Sequence, residues 1–168
     1  LGPVPFFYLP YYRHSLERRV FSVSGSAGYS GDIGSYLELR PTYSPSERWD
    51  FFTDFNLYSE RGILLGPGFD LKLAPTENQS IHTHLESGWI EDSGNLGVDI
   101  LGEPIDSDRY YLDFEYVHQL PESAQLIGKV QNWSDSEILR DFDTAEFRRI
   151  QQPENFFEAS MVTGSWAL

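Results

Sequence analysis

The sequence predicts an all-β protein, an antiparallel meander of about eight strands. Three observations predict it. Short runs of alternating apolar and polar residues recur along the chain, with no long helical periodicity between them. Turn residues rich in Gly, Pro, Ser and Asp separate these runs at hairpin distances. Aromatic residues make up 15% of the chain, as ten Tyr, twelve Phe and four Trp, and aromatic side chains favour pleated surfaces.

The elements follow in order. Pro3 to Tyr12 is aromatic but carries Pro3, Pro5 and Pro10, and a proline cannot donate to a ladder, so this stretch reads as an edge or interrupted strand. Phe21 to Tyr29 alternates weakly among Ser and Gly, and Gly31, Asp32 and Gly34 turn the chain. Tyr36 to Arg40 reads as a short strand stopped by Pro41, with the next turn at Pro45, Ser46 and Glu47. Arg48 to Tyr58 is the clearest strand: Trp49, Phe51, Thr53, Phe55 and Leu57 share one face, and Asp50, Phe52, Asp54, Asn56 and Tyr58 the other. After a turn at Ser59 to Gly62, Ile63 to Leu73 forms a strand in which Gly66, Pro67 and Gly68 predict a bulge or kink. Pro75 to Asn78 is a turn. Ser80 to Ile90 places Ile81, Thr83, Leu85, Ser87 and Trp89 opposite His82, His84, Glu86 and Gly88.

Asp92 to Asn95 and Gly102 to Asp108 bracket a stretch of weaker, loop-like pattern. Arg109 to Leu120 is a second clear strand, with Tyr110, Leu112, Phe114 and Tyr116 on one face and Tyr111, Asp113, Glu115 and Val117 on the other. Pro121 to Ser123 turns the chain into a strand from Ala124 to Trp133. Residues 134–152 are charged and read as a loop or short helical insertion, with helical character at Ser136 to Phe142 and Thr144 to Ile150. Phe156 to Trp166 alternates again.

Composition narrows the function. The net charge of −14, from 26 acidic against 12 basic residues, lacks the basic footprint that nucleic acid requires and argues against a polybasic membrane-surface patch. The absence of cysteine removes disulfides and thiolate metal sites. No run reaches the roughly 20 apolar residues of a membrane helix, although a membrane strand needs only about 10 alternating residues. The chain opens Leu-Gly-Pro with no signal peptide, which reads as an excised piece or a mature form. Two architectures fit such a meander: a soluble sandwich or barrel, and a membrane barrel whose apolar face meets lipid.

Specific strings favour the second. Pro5-Phe-Phe-Tyr-Leu-Pro-Tyr-Tyr-Arg-His-Ser-Leu-Glu-Arg-Arg19 resembles the barrel entry of the outer-membrane lipopolysaccharide-assembly family (LptD, also called OstA). The run from Arg40 to Gly62 resembles that family's next hairpin, and Asp108 to Gln119 its later strand. Trp133 to Phe142 and Gln152 to Glu158 are similar to the elements that follow, in the same order. The family's disulfide cysteines are absent, and the acidity departs from what a surface near lipopolysaccharide phosphates would carry.

The resemblance implies that residues 1–168 are the early part of a larger transmembrane β-barrel in the cell outer membrane, and that the protein is not an enzyme. It implies lipopolysaccharide as cargo, a lipoprotein plug and periplasmic bridge proteins as partners, and release into the outer leaflet through a lateral opening. Proline removes a seam hydrogen bond, so Pro5 and Pro10 are the lateral-gate candidates. Trp49, Tyr58, Tyr110 and Tyr116 are the aromatic girdle candidates at the membrane interfaces. The alternative is a soluble β-sandwich that binds glycan or protein through exposed rings.

Other constellations carry less. His82, His84 and Glu86 could hold zinc, but a closed site needs a fourth ligand and supporting hydrogen bonds, so they read as a polar face and no metal or other cofactor is expected. The pairs Asp50 with Asp54 and Asp113 with Glu115 arise wherever alternate strand positions are polar, and no nucleophile elbow or phosphate loop is present. Arg140, Arg148 and Arg149 are expected to pair with Asp141, Asp143 and Glu146 in a solvated loop.

Overall fold

The computed structural model describes residues 20–150 and 152–162. Eight strands form one sheet in chain order, each antiparallel to its neighbours. They are β1 (Phe21–Ser30), β2 (Gly34–Ser46), β3 (Trp49–Tyr58), β4 (Gly62–Thr76), β5 (Gln79–Glu91), β6 (Asp108–Leu120), β7 (Ala124–Trp133) and β8 (Phe156–Met161). Two short helices, α1 (Ile138–Phe142) and α2 (Thr144–Phe147), lie between β7 and β8. The sheet does not close on itself: β1 and β8 are its edges among the described residues. The all-β meander expected from alternation is therefore present.

Two prolines behave differently from expectation. β2 does not stop at Pro41 but runs on to Ser46, with Pro41 opposite Val23 of β1. On the β3 side the ladder pairs Leu39 with Phe55 and Thr42 with Phe52 in one register, and omits only Arg40 and Pro41. The missing N–H faces β3, so the proline costs a local gap rather than the strand. β4 repeats this at Pro67. The β3 ladder is continuous through Thr53 and Pro67, whereas the β5 ladder skips Gly66 to Gly68 and resumes in register. This is a gap and not the expected bulge. The Ser87 hydroxyl donates to the Pro67 carbonyl at 2.6 Å across it. A Cβ on Gly66 would collide with the Ser87 carbonyl, so the backbones approach here as only glycine allows. Register shifts occur instead between Tyr43 and Ser46 and between Leu73 and Thr76, beside two tight turns.

The two ends of the sheet differ. One end carries only tight turns, at residues 47–48, 77–78 and 121–123. The other carries turns at 31–33 and 59–61 and two long connections, 92–107 and 134–155. The 92–107 loop is fastened by a Val98–Pro104 bridge and by the Asp99 carboxylate, which accepts the Leu101 and Glu103 N–H groups at 2.8 and 2.9 Å.

Residues 134–150 are not a solvated loop. They fold back over one face of the sheet, called here the inner face. Ile138 and Leu139 join Tyr58, Leu64, Ile90 and Tyr111 in the main buried cluster, with Ile33, Tyr36, Trp133, Phe142 and Phe147 packed around it. The physical reason is that four apolar side chains on the inner face at this end need cover, and two consecutive apolar residues of α1 supply it. The α2 N-terminus is capped by Asp143, whose side chain accepts the Glu146 N–H at 3.0 Å.

Candidate functional site

The strand alternation sorts the sheet into an apolar outer face and a charged inner face. On the outer face the cross-strand register aligns Phe21, Tyr43, Phe51, Phe69, Leu85, Phe114 and Val130 in one row across seven strands. A second row runs through Leu39, Phe55, Leu65, Trp89 and Tyr110. Much of this surface is bare: Phe51 is 42% exposed, Trp89 47%, Val130 49% and Phe157 71%. On β3 the polar face predicted from alternation is the more buried one, since Phe52, Asp54 and Tyr58 are buried while Phe51 and Phe55 are exposed. That is the reverse of a soluble sheet packed on its own core.

The inner face holds two ion-pair clusters. At the long-loop end, Arg109 is fully buried and reaches three carboxylates. It grips Asp135 through Nε and Nη2 at 2.9 and 2.7 Å, and meets Asp92 and Asp141 through Nη1, both at 2.8 Å. Arg61, at the β3–β4 turn, grips Asp92 at 2.7 and 2.6 Å and donates to Asp141 at 2.9 Å. The Phe142 ring lies under both guanidinium groups, at 5.0 and 5.4 Å, and against Tyr58 at 5.2 Å. Burial alone would push the Asp92 carboxyl up; hydrogen bonds from Arg61, the Gly94 N–H and Arg109 outweigh it and hold it below its ordinary value of 3.8. Asp135 is likewise pushed up by burial and brought below 3.8 by Arg109 and Ser134. Asp143, which no arginine grips among the described residues, is driven above 3.8 by burial.

The second cluster lies mid-sheet. Arg40 binds Asp54 bidentately at 2.6 and 2.7 Å and also contacts Glu86 and the Phe52 ring. His84 Nδ1 lies 2.9 Å from Asp70, and His82 stands 3.5 Å from the same carboxylate. Asp113 accepts from Gln131 at 2.5 Å, and Glu115 pairs with Lys129 at 2.8 Å. The carboxylate pairs noted in the sequence all lie on this face, tied to neighbours across the sheet. Among the described residues no three His, Cys, Asp or Glu side chains are placed to share a metal ion.

The girdle candidates divide. Trp49 and Tyr116 lie in one outer row near the tight turns, connected through Leu71 and Thr83. Trp49 stacks on Phe51 at 5.3 Å. Tyr110 lies toward the opposite end beside Trp89 and is 41% exposed. Tyr58 is on the inner face and 3% exposed, so its ring belongs to the packed cluster and turns away from the outer surface. Pro5 and Pro10 lie outside the described residues.

Sequence reasoning passed over Arg61, Asp92, Arg109 and Asp135. It placed Arg61 in a turn and Asp92 in a loop, and nothing local pairs residues this far apart. The available signal was parity: Arg109 falls on the same face as Tyr111, Asp113 and Glu115. The expected pairing of Arg140 with Asp141 is present, at 3.8 Å, but Asp141 also reaches Arg61 and Arg109 at shorter distances, and Arg140 also pairs with Glu137. Arg149 pairs with Glu146 at 3.1 Å. Among the described residues no helix is long and apolar enough to cross a membrane, which says nothing of strands. No protein-family model and no curated protein matches the sequence.

Proposed function

We propose that this chain forms part of the wall of an outer-membrane β-barrel, its outer face against lipid and its inner face lining a wet interior. The observation that carries the reading is the placement of the helices. Among the described residues the helical layer at 134–150 sits on the inner face, over its apolar end, and the outer face is left largely bare. A water-soluble sheet gains free energy by covering apolar area first.

Dimensions support the same reading. The outer positions of β4 are apolar without interruption: Ile63, Leu65, Pro67, Phe69, Leu71 and Leu73. At about 3.3 Å per residue that stripe runs roughly 33 Å along the strand. Tilted by about 40°, it stands about 25 Å tall, the height of the apolar band of such barrels. Tight turns at one end and long loops at the other match their periplasmic and external ends.

The cargo rests on the string resemblance alone. In that reading the barrel receives lipopolysaccharide from periplasmic bridge proteins, works with a lipoprotein plug, and releases cargo to the outer leaflet at a seam weakened by Pro5 and Pro10. The competing soluble β-sandwich would need a second layer over the outer face.

The test is fractionation of the full-length parent protein followed by gels of heated and unheated detergent samples. An outer-membrane protein with a heat-modifiable compact band is the expected result; a soluble protein with one sharp melt overturns the barrel. Photo-crosslinking groups at inner-face Asn56 and outer-face Phe55 then separate cargo from wall. Lipopolysaccharide adducts from the inner position are expected, and their absence there removes the cargo while leaving the barrel.

A further inference from the structure

We propose that residues 134–150 form a latched strap across the barrel interior, closed by the clasp of Arg61, Asp92, Arg109 and Asp141 and able to swing off the wall when the clasp is broken. The proposal rests on the barrel reading, because only a sheet closed around its inner face gives the strap a passage to obstruct.

The architecture of the strap carries it. It joins neighbouring antiparallel strands, β7 and β8, and beyond Ser134, whose N–H still bonds the Tyr110 carbonyl at 2.9 Å, no ladder pairing depends on its position. The β7–β8 ladder runs from Ala124 to Lys129 on β7, at the far end from the strap. Where β7 continues toward the strap, the chain returning to β8 is held by side chains: Asn155 accepts the Gln131 N–H at 3.0 Å, and Gln131 accepts the Glu154 N–H at 2.8 Å. The returning limb therefore has its own tether to β7. The helices are too short to hold themselves, at five and four residues. The strap is fixed by what it touches.

What it touches is divided. Ile138 and Leu139 supply an apolar foot. Phe142 and Phe147 pack around that foot, and Phe142 lies under both arginines. The polar contacts are ionic and asymmetric. Asp92 belongs to the wall and its side chain is fully buried, whereas Asp141 belongs to the strap and its side chain is 19% exposed. Both carboxylates bind the same two arginines. Withdrawing Asp141 leaves Arg109 still satisfied by Asp92 and Asp135, and Arg61 by Asp92. The wall half of the clasp stays neutralised when the strap half departs, so opening strands no buried arginine. Asp135 marks the fixed end, gripped bidentately by Arg109, with its Oδ1 accepting the Glu137 N–H at 2.9 Å. The clasp thus has a hinge side at Asp135 and a release side at Asp141. A cavity of about 960 Å³ opens beside the release side, lined in part by Tyr36, Tyr58, Arg61, Asp141 and Phe142. The strap has space on that flank.

The test is ion conductance of the full-length parent protein in planar bilayers, with the heat-shift gel run on every variant. Asp141→Asn removes the release-side charge and leaves the wall pairs intact. A second variant replaces residues 136–150 with a short Gly-Ser turn. The expected result is a several-fold rise in conductance for Asp141→Asn and a larger, steady rise for the replacement, both with the normal heat shift. Either variant shifting normally yet conducting as the wild type overturns the strap. A wild-type protein with no heat shift overturns the barrel reading itself, which keeps the two failures distinct.

Discussion

At the scale of single residues, Arg109 has the most to lose. A buried guanidinium with three carboxylate partners is tolerable only because its donors are used, and removing it leaves Asp135 without its counter-charge and Asp92 with Arg61 alone. Arg109→Met is expected to destabilise the folded protein by about 3–5 kcal/mol, the cost of breaking a buried pair from one side. Denaturant titration of the detergent-folded protein measures it. Arg109→Lys is expected to recover only part of the loss, because an ammonium cannot reproduce the two-pronged grip on Asp135. Full recovery would mean that charge alone, without the fork, holds the site.

At the scale of elements, the prolines and the strap offer separate tests. Pro41→Ala supplies the N–H that the β2–β3 ladder lacks, worth about 0.5–1.5 kcal/mol net. It also loosens the unfolded chain, at a cost of about 0.4–1 kcal/mol. The two nearly cancel, so the stability change is expected within about 1 kcal/mol of zero, with a newly protected amide at position 41 in hydrogen exchange. An amide there that exchanges freely would mean the gap has a cause other than proline.

The pH dependence follows from the carboxylates of the wall and the strap. Asp92 and Asp135 have folded values below 3.8, so their contribution is complete above that value and is lost as pH falls through the depressed folded values. Asp143 works in the opposite sense: its raised value means a small contribution present at low pH that is lost as pH rises above 3.8. Counting the mid-sheet cluster as well, the depressed carboxylates Asp92, Asp135 and Glu86 outnumber the raised Asp143 and Asp113. The temperature at which the compact gel band disappears is therefore expected to hold steady from neutral pH down to about 4 and to drop below the ordinary aspartate range. A drop beginning near neutrality would point to groups outside the clasp.

At the scale of the whole molecule, the outer face is the distinguishing property. If it meets lipid, the cost of a charge there depends on depth. Phe69→Arg, near the middle of the β4 stripe, is expected to cost about 2–4 kcal/mol, and Ile63→Arg at its end about 0–1 kcal/mol. Unfolding in vesicles measures both. Equal costs at the two positions would indicate a uniformly packed interface, as a second protein layer would provide.

The sequence by itself determined the strands, because a period of two is a local property: Arg48 to Tyr58 and Arg109 to Leu120 are legible from residue order alone, and so is the split of each into two faces. It also marked residues 134–152 as a break in that pattern. Only the tertiary structure decided which face the helices cover, since alternation is symmetric between packing inward and facing lipid. It decided that Pro41 and Pro67 sit inside strands, because a missing N–H matters only on the side where a neighbour's carbonyl awaits it. It decided that Asp141 serves Arg61 and Arg109 rather than Arg140 alone. Those partners are far apart along the chain, and a charge buried on a shared face is drawn to whatever counter-charge the fold brings within hydrogen-bond reach, however distant in sequence.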